Sequence, residues 1–138
     1  AALLTLNSAR ELDKLDQVIL GTDGPAGSGA QPLGILRMIA MLSSLGKISA
    51  ATAFCFATGN TARQRELDVG ILEASYAADF VLIDQAQHAP GKHILESIEL
   101  GNLPGVGMTI IDGEVRTMRS RNTPPATRFP EVEQTTSH

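Results

Sequence analysis

The stretch that decides the fold of this chain is GTDGPAGSG, residues 21–29. It follows a short apolar run, Val18-Ile19-Leu20, which predicts a strand over 17–22 that is buried on both faces, as in a parallel sheet. After the loop comes Pro32, which suits the first turn of a helix predicted to extend to about Leu45. A strand, a glycine-rich loop and a helix in this order indicate an α/β fold.

The glycine loop permits two functional interpretations. In the first, Gly24 and Gly29 have the GxxxxG spacing of a phosphate-binding loop. Ala30 and Gln31, however, stand where such a loop needs Lys and then Ser or Thr to hold phosphates and a metal ion. In the second, Asp23 ends a parallel strand at the mouth of a β/α barrel, where a carboxylate can bind a metal and hold a proton of the attacking water. The spacing leaves a third possibility open, in which Asp23 caps a turn or the next helix.

Composition argues against several classes of partner. A net charge of −4, with four Phe and one Tyr, offers no basic, aromatic surface for nucleic acid, and anionic membranes would be poor partners too. No apolar run reaches the roughly 18 residues that a membrane span needs. Cys55, the single cysteine, lies among apolar residues and is expected to be a small buried side chain. We therefore expect a cytoplasmic protein.

Local patterns predict the remaining elements. Apolar spacing indicates an amphipathic helix over 2–15, and the helix that ends near Leu45 is apolar almost all round, so we expect it to be covered on several sides. Ser49 is a plausible N-cap for a helix that runs to Thr58 and stops at Gly59, with another helical stretch over 60–67.

From residue 68 the pattern changes to short strands with one helix. Asp112-Gly113 is a hairpin turn signal, a helix is predicted from about Lys92, and a tail is predicted after Asn122. The predicted strands are Val69–Leu72, Phe80–Asp84, Gly107–Ile111 and Glu114–Ser120.

Several separated motifs occur in an informative order: GTD at 21–23, an apolar helix, ATGNTA at 57–62 and ADFVLID at 78–84. This order resembles the end of the metal-dependent hydrolases of the amidohydrolase superfamily. There the last barrel strand ends in an aspartate, a helix with an ATxNxA-like stretch follows, and an ADxVxxD strand returns the chain to a small β-sandwich. Within the superfamily the resemblance extends to enamidases, whose PLGILR-like and SRNTPPA-like stretches match 32–37 and 120–126.

The resemblance, which covers about residues 1–126, implies a fold and an activity. Residues 1–67 would be the last strand and helices of a TIM-like β/α barrel, residues 68–121 the C-terminal part of the β-sandwich, and 122–138 a tail. The implied activity is hydrolysis of C–N bonds in a small cyclic amide or enamide.

Carried over onto this sequence, the resemblance makes Asp23 the catalytic and metal-binding aspartate. It would bind a divalent ion, zinc or iron, accept a proton from the metal-bound water and pass it to the leaving nitrogen. By loop position alone, residues near the substrate would be Ala26, Gly27, Ser28 and Gly29. Asn60 is expected to fix a helix end and not to touch substrate.

The sequence also departs from the family pattern. The family has GxIxxGKxAD before the return strand, whereas GILEASYAAD at 70–79 lacks the Gly-Lys pair. Its two-histidine motif, its bridging Lys or carboxylate and its later histidines have no match here. We expect His88 and His93 to be a solvated pair in a surface loop, and His138 to be a disordered terminal residue.

At most one metal ligand therefore belongs to this chain. Because Ala1 is not an initiator Met, we expect the sequence to be the C-terminal part of a longer hydrolase, inactive by itself. Its partners would be the missing N-terminal part of the barrel or another copy of the chain. Two alternatives of other classes are a non-catalytic interaction or dimerisation module and, through the glycine loop, a nucleotide-binding protein.

Overall fold

A computed structural model describes residues 1–22 and 33–133 of the chain. Helices and one small sheet make up this part, as expected of the α/β class. None of the described helices is long and apolar enough to cross a bilayer. The helices are α1 (Ala2–Glu11), α2 (Gly34–Gly46), α3 (Ala50–Ala57), α4 (Gly59–Arg65) and α5 (Ile94–Glu99).

Helix α1 ends at Glu11, four residues before the predicted end at Leu15. Asp13 adopts a left-handed backbone with φ 54°, and the N–H of Lys14 donates to the carbonyl of Ala9 at 2.8 Å. This pair of features is a Schellman motif, which satisfies the last carbonyls of a helix and stops it. The apolar periodicity carried by Leu12 and Leu15 could not reveal this local turn.

Helix α2 lies at the centre of the helical layer and packs against α1, α3 and α5. Its apolar surface is therefore covered on several sides, as the sequence predicts. The core that forms around it contains Leu6, Ile39, Ala40, Leu42, Ile48, Ala50, Ala53, Phe56 and Ile98.

Helix α3 begins as predicted. The Ser49 hydroxyl accepts a hydrogen bond from the backbone N–H of Thr52 at 3.1 Å, which makes Ser49 the N-cap. Ala53 and Phe56, three positions apart, lie on the buried face of the helix. Cys55 falls on the other face and is exposed, so the prediction of a buried cysteine was wrong.

The strand predicted over 17–22 is not present in the described part of the chain. Gln17 belongs to a 3₁₀ turn, Leu15–Gln17, and Val18 has extended backbone angles of −73° and 127°. The N–H of Leu20 donates to the carbonyl of Phe56 at 3.0 Å, so this segment pairs with the end of a helix and not with a strand. An apolar extended segment becomes a β-strand only when a neighbouring strand offers its backbone groups.

The sheet contains β1 (Phe80–Asp84), β2 (Gly105–Ile111) and β3 (Glu114–Met118), all antiparallel and in the order β1-β2-β3. All three were predicted within two residues of their observed ends. The turn between β2 and β3 is also confirmed, since Asp112 and Gly113 have φ angles of 53° and 74°, the left-handed values of a type I′ hairpin turn.

The strand predicted over Val69–Leu72 is wrong, because none of these residues pairs with a strand and Gly70 and Ile71 form a bend. Gly70 has a φ of 76°, which turns the chain and interrupts an extended run. The apolar residues of this stretch suited a strand, but the glycine supplied a turn.

Part of the segment predicted as a tail packs on the sheet. Ala86 and Ala126 form an antiparallel bridge, and the N–H of Thr127 donates to the carbonyl of Gln85 at 2.8 Å. Ala126 is fully buried, and a Cβ added to Gly105 would lie 2.5 Å from both its N and Cα atoms. Glycine at 105 therefore allows the backbone of this segment to approach β2 closely.

Candidate functional site

All five residues predicted for the site lie outside the described residues: Asp23, Ala26, Gly27, Ser28 and Gly29. Their position in space stays a prediction. The structure does describe the chain up to Thr22 and the ATGNTA motif at 57–62. The described part of the candidate site is therefore the support of residues 15–22, by which we mean the contacts that hold the chain just before the predicted catalytic segment.

Asn60 is the central residue of this support. Its side chain is almost completely buried, with 3% of its surface exposed. The Nδ2 atom donates to the carbonyl oxygens of Leu15 and Val18, both at 3.0 Å. The amide therefore uses both of its hydrogens on the main chain of one segment, 42 and 45 residues away in sequence.

Arg63 orients the Asn60 amide. Its Nη2 atom donates to Oδ1 of Asn60 at 2.7 Å, one turn further along α4. Because a guanidinium is a donor without acceptor atoms, it defines which end of the amide is oxygen and which is nitrogen. The ordinary i, i+3 spacing of a helix could have suggested this pair from sequence, but sequence analysis did not identify Arg63.

The end of α3 provides a third hydrogen bond to the segment that Asn60 holds. The carbonyl of Phe56 accepts from the N–H of Leu20 at 3.0 Å and from the hydroxyl of Thr61 at 2.8 Å. The side chain of Phe56 is fully buried in the helical core. The segment from Leu15 to Leu20 is consequently hydrogen-bonded to the helical core immediately before the exposed Gly21 and Thr22.

The two carboxylates of the ADFVLID motif have structural roles. Asp79 Oδ1 accepts from the backbone N–H of Asp112 at 2.8 Å and so holds the β2–β3 hairpin turn against the start of β1. Asp84 receives three hydrogen bonds from Arg128, from the backbone N–H at 3.0 Å, from Nε at 2.9 Å and from Nη2 at 3.0 Å. Both carboxylates therefore form hydrogen bonds with residues that are distant in sequence.

The charge on Asp84 is stabilised by this pairing. The hydrogen bonds from the Arg128 side chain, helped by one from the backbone of Gln85 and opposed by partial burial, lower the pKa of Asp84 from 3.8 to about 2. The carboxylate of Asp84 in turn raises the pKa of Arg128. Arg128 is 44 positions away and 85% exposed, and no local pattern in the sequence pointed to it.

The two described histidines are exposed, as predicted, but His93 caps a helix and is not simply part of a surface loop. His88 and His93 are exposed, and Nδ1 of His93 accepts from the backbone N–H of Glu96 at 3.2 Å as the N-cap of α5. His138 lies outside the described residues. Within residues 1–22 and 33–133, no group of three or more His, Cys, Asp or Glu side chains is placed to hold a metal ion.

A divalent metal therefore does not fit the described residues by themselves. The Asp23 carboxylate is a suitable oxygen donor for zinc or iron, but a catalytic zinc site uses about three protein ligands.

Comparison with known proteins identifies the family. Residues 5–116 match the Amidohydrolase family. The chain therefore belongs to the amidohydrolase family, which confirms the resemblance seen in the motifs.

Matches to enamidase in sequence and in structure extend the comparison. Enamidase from Eubacterium barkeri is 36% identical over 124 residues, which cover 90% of this chain and 32% of that protein. The crystal structure of enamidase, described as a new member of the amidohydrolase superfamily, matches with a TM-score of 0.89 and 36% identity over 93% of this chain and 33% of that one. The chain spans about a third of the length of these relatives.

Proposed function

We propose that the protein to which this chain belongs is a metal-dependent hydrolase that cleaves non-peptide C–N bonds in a small cyclic amide or enamide. The observation that carries this proposal is the match to the enamidase structure at a TM-score of 0.89 with 36% identity. A likeness of that size in both fold and sequence supports a related chemistry, whereas a shared fold alone would not.

The proposal assigns residues 1–67 to the end of the barrel and residues 68–121 to the C-terminal part of the sandwich. The antiparallel sheet of β1 to β3 supports the second assignment. For the first, the support is the extended course of Val18 and the apolar segment that follows it. Barrel strands upstream would supply the neighbours that this segment lacks in the described part.

Asp23 is the proposed catalytic residue. Its carboxylate would bind the metal, take a proton from the attacking water and deliver it to the nitrogen that leaves. A divalent ion such as zinc or iron, when bound, supplies a Lewis acid that makes water nucleophilic near neutral pH. Residues Ala26 to Gly29 would border the substrate. Hydrogen bonds to the backbone of Val18 and Leu20 support the proposal that the chain enters this site from a fixed position.

The test uses the complete gene product that carries residues 1–138, loaded with zinc or iron and assayed on a panel of cyclic amides and enamides. We expect hydrolysis of at least one member, and we expect Asp23→Asn to lower kcat by about 10²- to 10⁴-fold because proton transfer is lost. Asp68→Asn, at an exposed carboxylate outside the motifs and outside residues 15–22, is the control and should retain activity. Full activity of Asp23→Asn, or no hydrolysis across the panel, would contradict the proposal.

A second candidate function is an interaction or dimerisation module. The observation that favours it is an apolar groove of about 440 Å³ between residues 70–72 and the sheet, lined by Ile71, Phe80 and Ile110 among others. Strand β1 forms one edge of the sheet, and its Val81 is exposed beside the groove. Light scattering coupled to gel filtration tests this, since a monomer at high concentration would count against it.

A further inference from the structure

We propose that Asn60 is a positioning residue, which sets the direction in which the chain leaves Leu20 and enters the catalytic segment. This inference rests on the proposed function, because it assigns Asn60 a purpose only if Asp23 is catalytic. It goes beyond the expectation from sequence, in which Asn60 fixes a helix end. The structure shows that its amide binds another segment altogether.

The first step of the argument is the geometry of the amide. Nδ2 spans two carbonyls three residues apart, those of Leu15 and Val18. The N–H of Val18 in turn donates to the carbonyl of Leu15 at 3.2 Å, so the two acceptors belong to one tight turn. Asn60 therefore holds the turn at both ends and fixes its orientation as well as its position.

The second step is the lack of a substitute. The Asn60 side chain is buried, and without it the carbonyl of Val18 would lose its Asn60 hydrogen bond while that of Leu15 would keep only the N–H of Val18. No other common side chain of this size offers two donor hydrogens on one atom together with an acceptor for Arg63. Aspartate keeps the shape but has no hydrogens to donate, and alanine removes the group.

The third step is distance along the chain. Asp23 follows Leu20 by three residues in sequence, and three residues of fully extended chain span at most roughly 11 Å. A shift of the turn at 15–18 is passed on through so short a connection. In catalysis, a displacement of about 1 Å at a reacting group can cost on the order of 100-fold in rate.

The experiment compares Asn60→Asp, Arg63→Ala and Asp23→Asn in the complete gene product that carries residues 1–138. Ser49→Ala is the matched control, because it removes the N-cap of α3 without touching residues 15–20. Hydrogen exchange of the peptide covering 15–22 reports on the turn, and kcat and KM of the zinc-loaded protein report on the reaction. Thermal unfolding shows how much of each variant is folded.

For Asn60→Asp we expect exchange at 15–22 to rise about 10-fold. We expect kcat per folded molecule to fall about 10- to 100-fold while KM changes little. Ser49→Ala should lower the melting temperature without either effect. Because Arg63 is exposed, Arg63→Ala should fold and show both effects more weakly, and it decides the question if Asn60→Asp does not fold.

Two outcomes have different meanings. If Asp23→Asn remains active, the proposed function fails, whatever the Asn60 variant does. If Asp23→Asn is inactive but folded Asn60→Asp and Arg63→Ala keep normal kcat and normal exchange at 15–22, the positioning role is overturned and the hydrolase proposal stands.

Discussion

Asn60, Asp79 and Asp84 share a property that their motifs did not reveal. Each is a polar side chain within a family-like motif, and each binds main-chain atoms of a segment at least 33 residues away. A side chain that binds backbone groups joins two segments independently of what side chains those segments carry. Connections within the fold therefore account for these three residues of the motifs ATGNTA and ADFVLID.

The pairing of Asp84 with Arg128 predicts a pH dependence of stability. Because the pKa of Asp84 is lowered from 3.8 to about 2, the unfolded chain binds more protons than the folded one between these values. The contribution of Asp84 is thus fully present above about pH 4 and is lost as the pH falls through about 2. Asp84→Asn should lose less stability on acidification than the parent chain.

This is measured by urea unfolding between about pH 5 and pH 2, with Asp16→Asn as the control carboxylate. We expect only a small difference, since Arg128 is 85% exposed and solvent screens the pair. Parallel acid profiles for Asp84→Asn and the parent would show that the pair contributes nothing to stability.

At the scale of elements, the close approach of residues 123–128 to β2 depends on one glycine. Gly105→Ala would place a Cβ 2.5 Å from the backbone of Ala126, so the segment must move away. We expect a loss of about 2 kcal/mol in the free energy of unfolding, typical of overpacking. Trypsin should also cleave faster after Arg121 and Arg128, which flank the buried Ala126.

The control for this variant is Gly59→Ala at the start of α4. There the added Cβ would meet only side-chain atoms, the nearest being Nη1 of Arg63 at 3.4 Å. Alanine also favours a helix, so this variant should be neutral or slightly stabilising. Equal stability of Gly105→Ala and Gly59→Ala would mean that residues 123–128 do not pack on the sheet as described.

At the scale of the whole molecule, the chain presents a helical layer and a three-stranded sheet joined through α5. Ile98 of α5 belongs to the helical core, and Oε1 of Glu99 accepts from the N–H of Ala50 at 2.9 Å at the start of α3. Helix α5 connects β1 and β2 in sequence, so the two layers share one element. Apolar burial therefore anchors α5 in the helical layer, and the chain on either side of α5 leads to β1 and β2.

Metal binding also depends on the whole molecule, because its ligands come from different parts of the chain. The chain of residues 1–138 by itself should retain well under one equivalent of zinc or iron after gel filtration and should not hydrolyse cyclic amides. The reason is that tight sites need about three protein ligands and the family pattern assigns only Asp23 to this chain. Metal analysis of the eluted protein checks this. One retained equivalent together with hydrolysis would show that the chain forms a complete site.

Much of the local structure could be predicted from the sequence. Helices α2 and α3, all three strands and the hairpin turn followed from apolar spacing, a serine cap and an Asp-Gly pair. These signals work because they act between residues a few positions apart. The family could also be recognised, because several short motifs in a given order are improbable by chance.

Other features depended on tertiary structure. The partners of Asn60 lie 42 and 45 residues away, and Arg128 lies 44 residues from Asp84. Neither distance has a periodic signature. The segment at 17–22 shows the same dependence, because its apolar residues determine burial, whereas only neighbouring backbone groups decide whether it pairs as a strand. Contacts between distant segments are decided when the chain packs, since their free energy exists only in the folded arrangement.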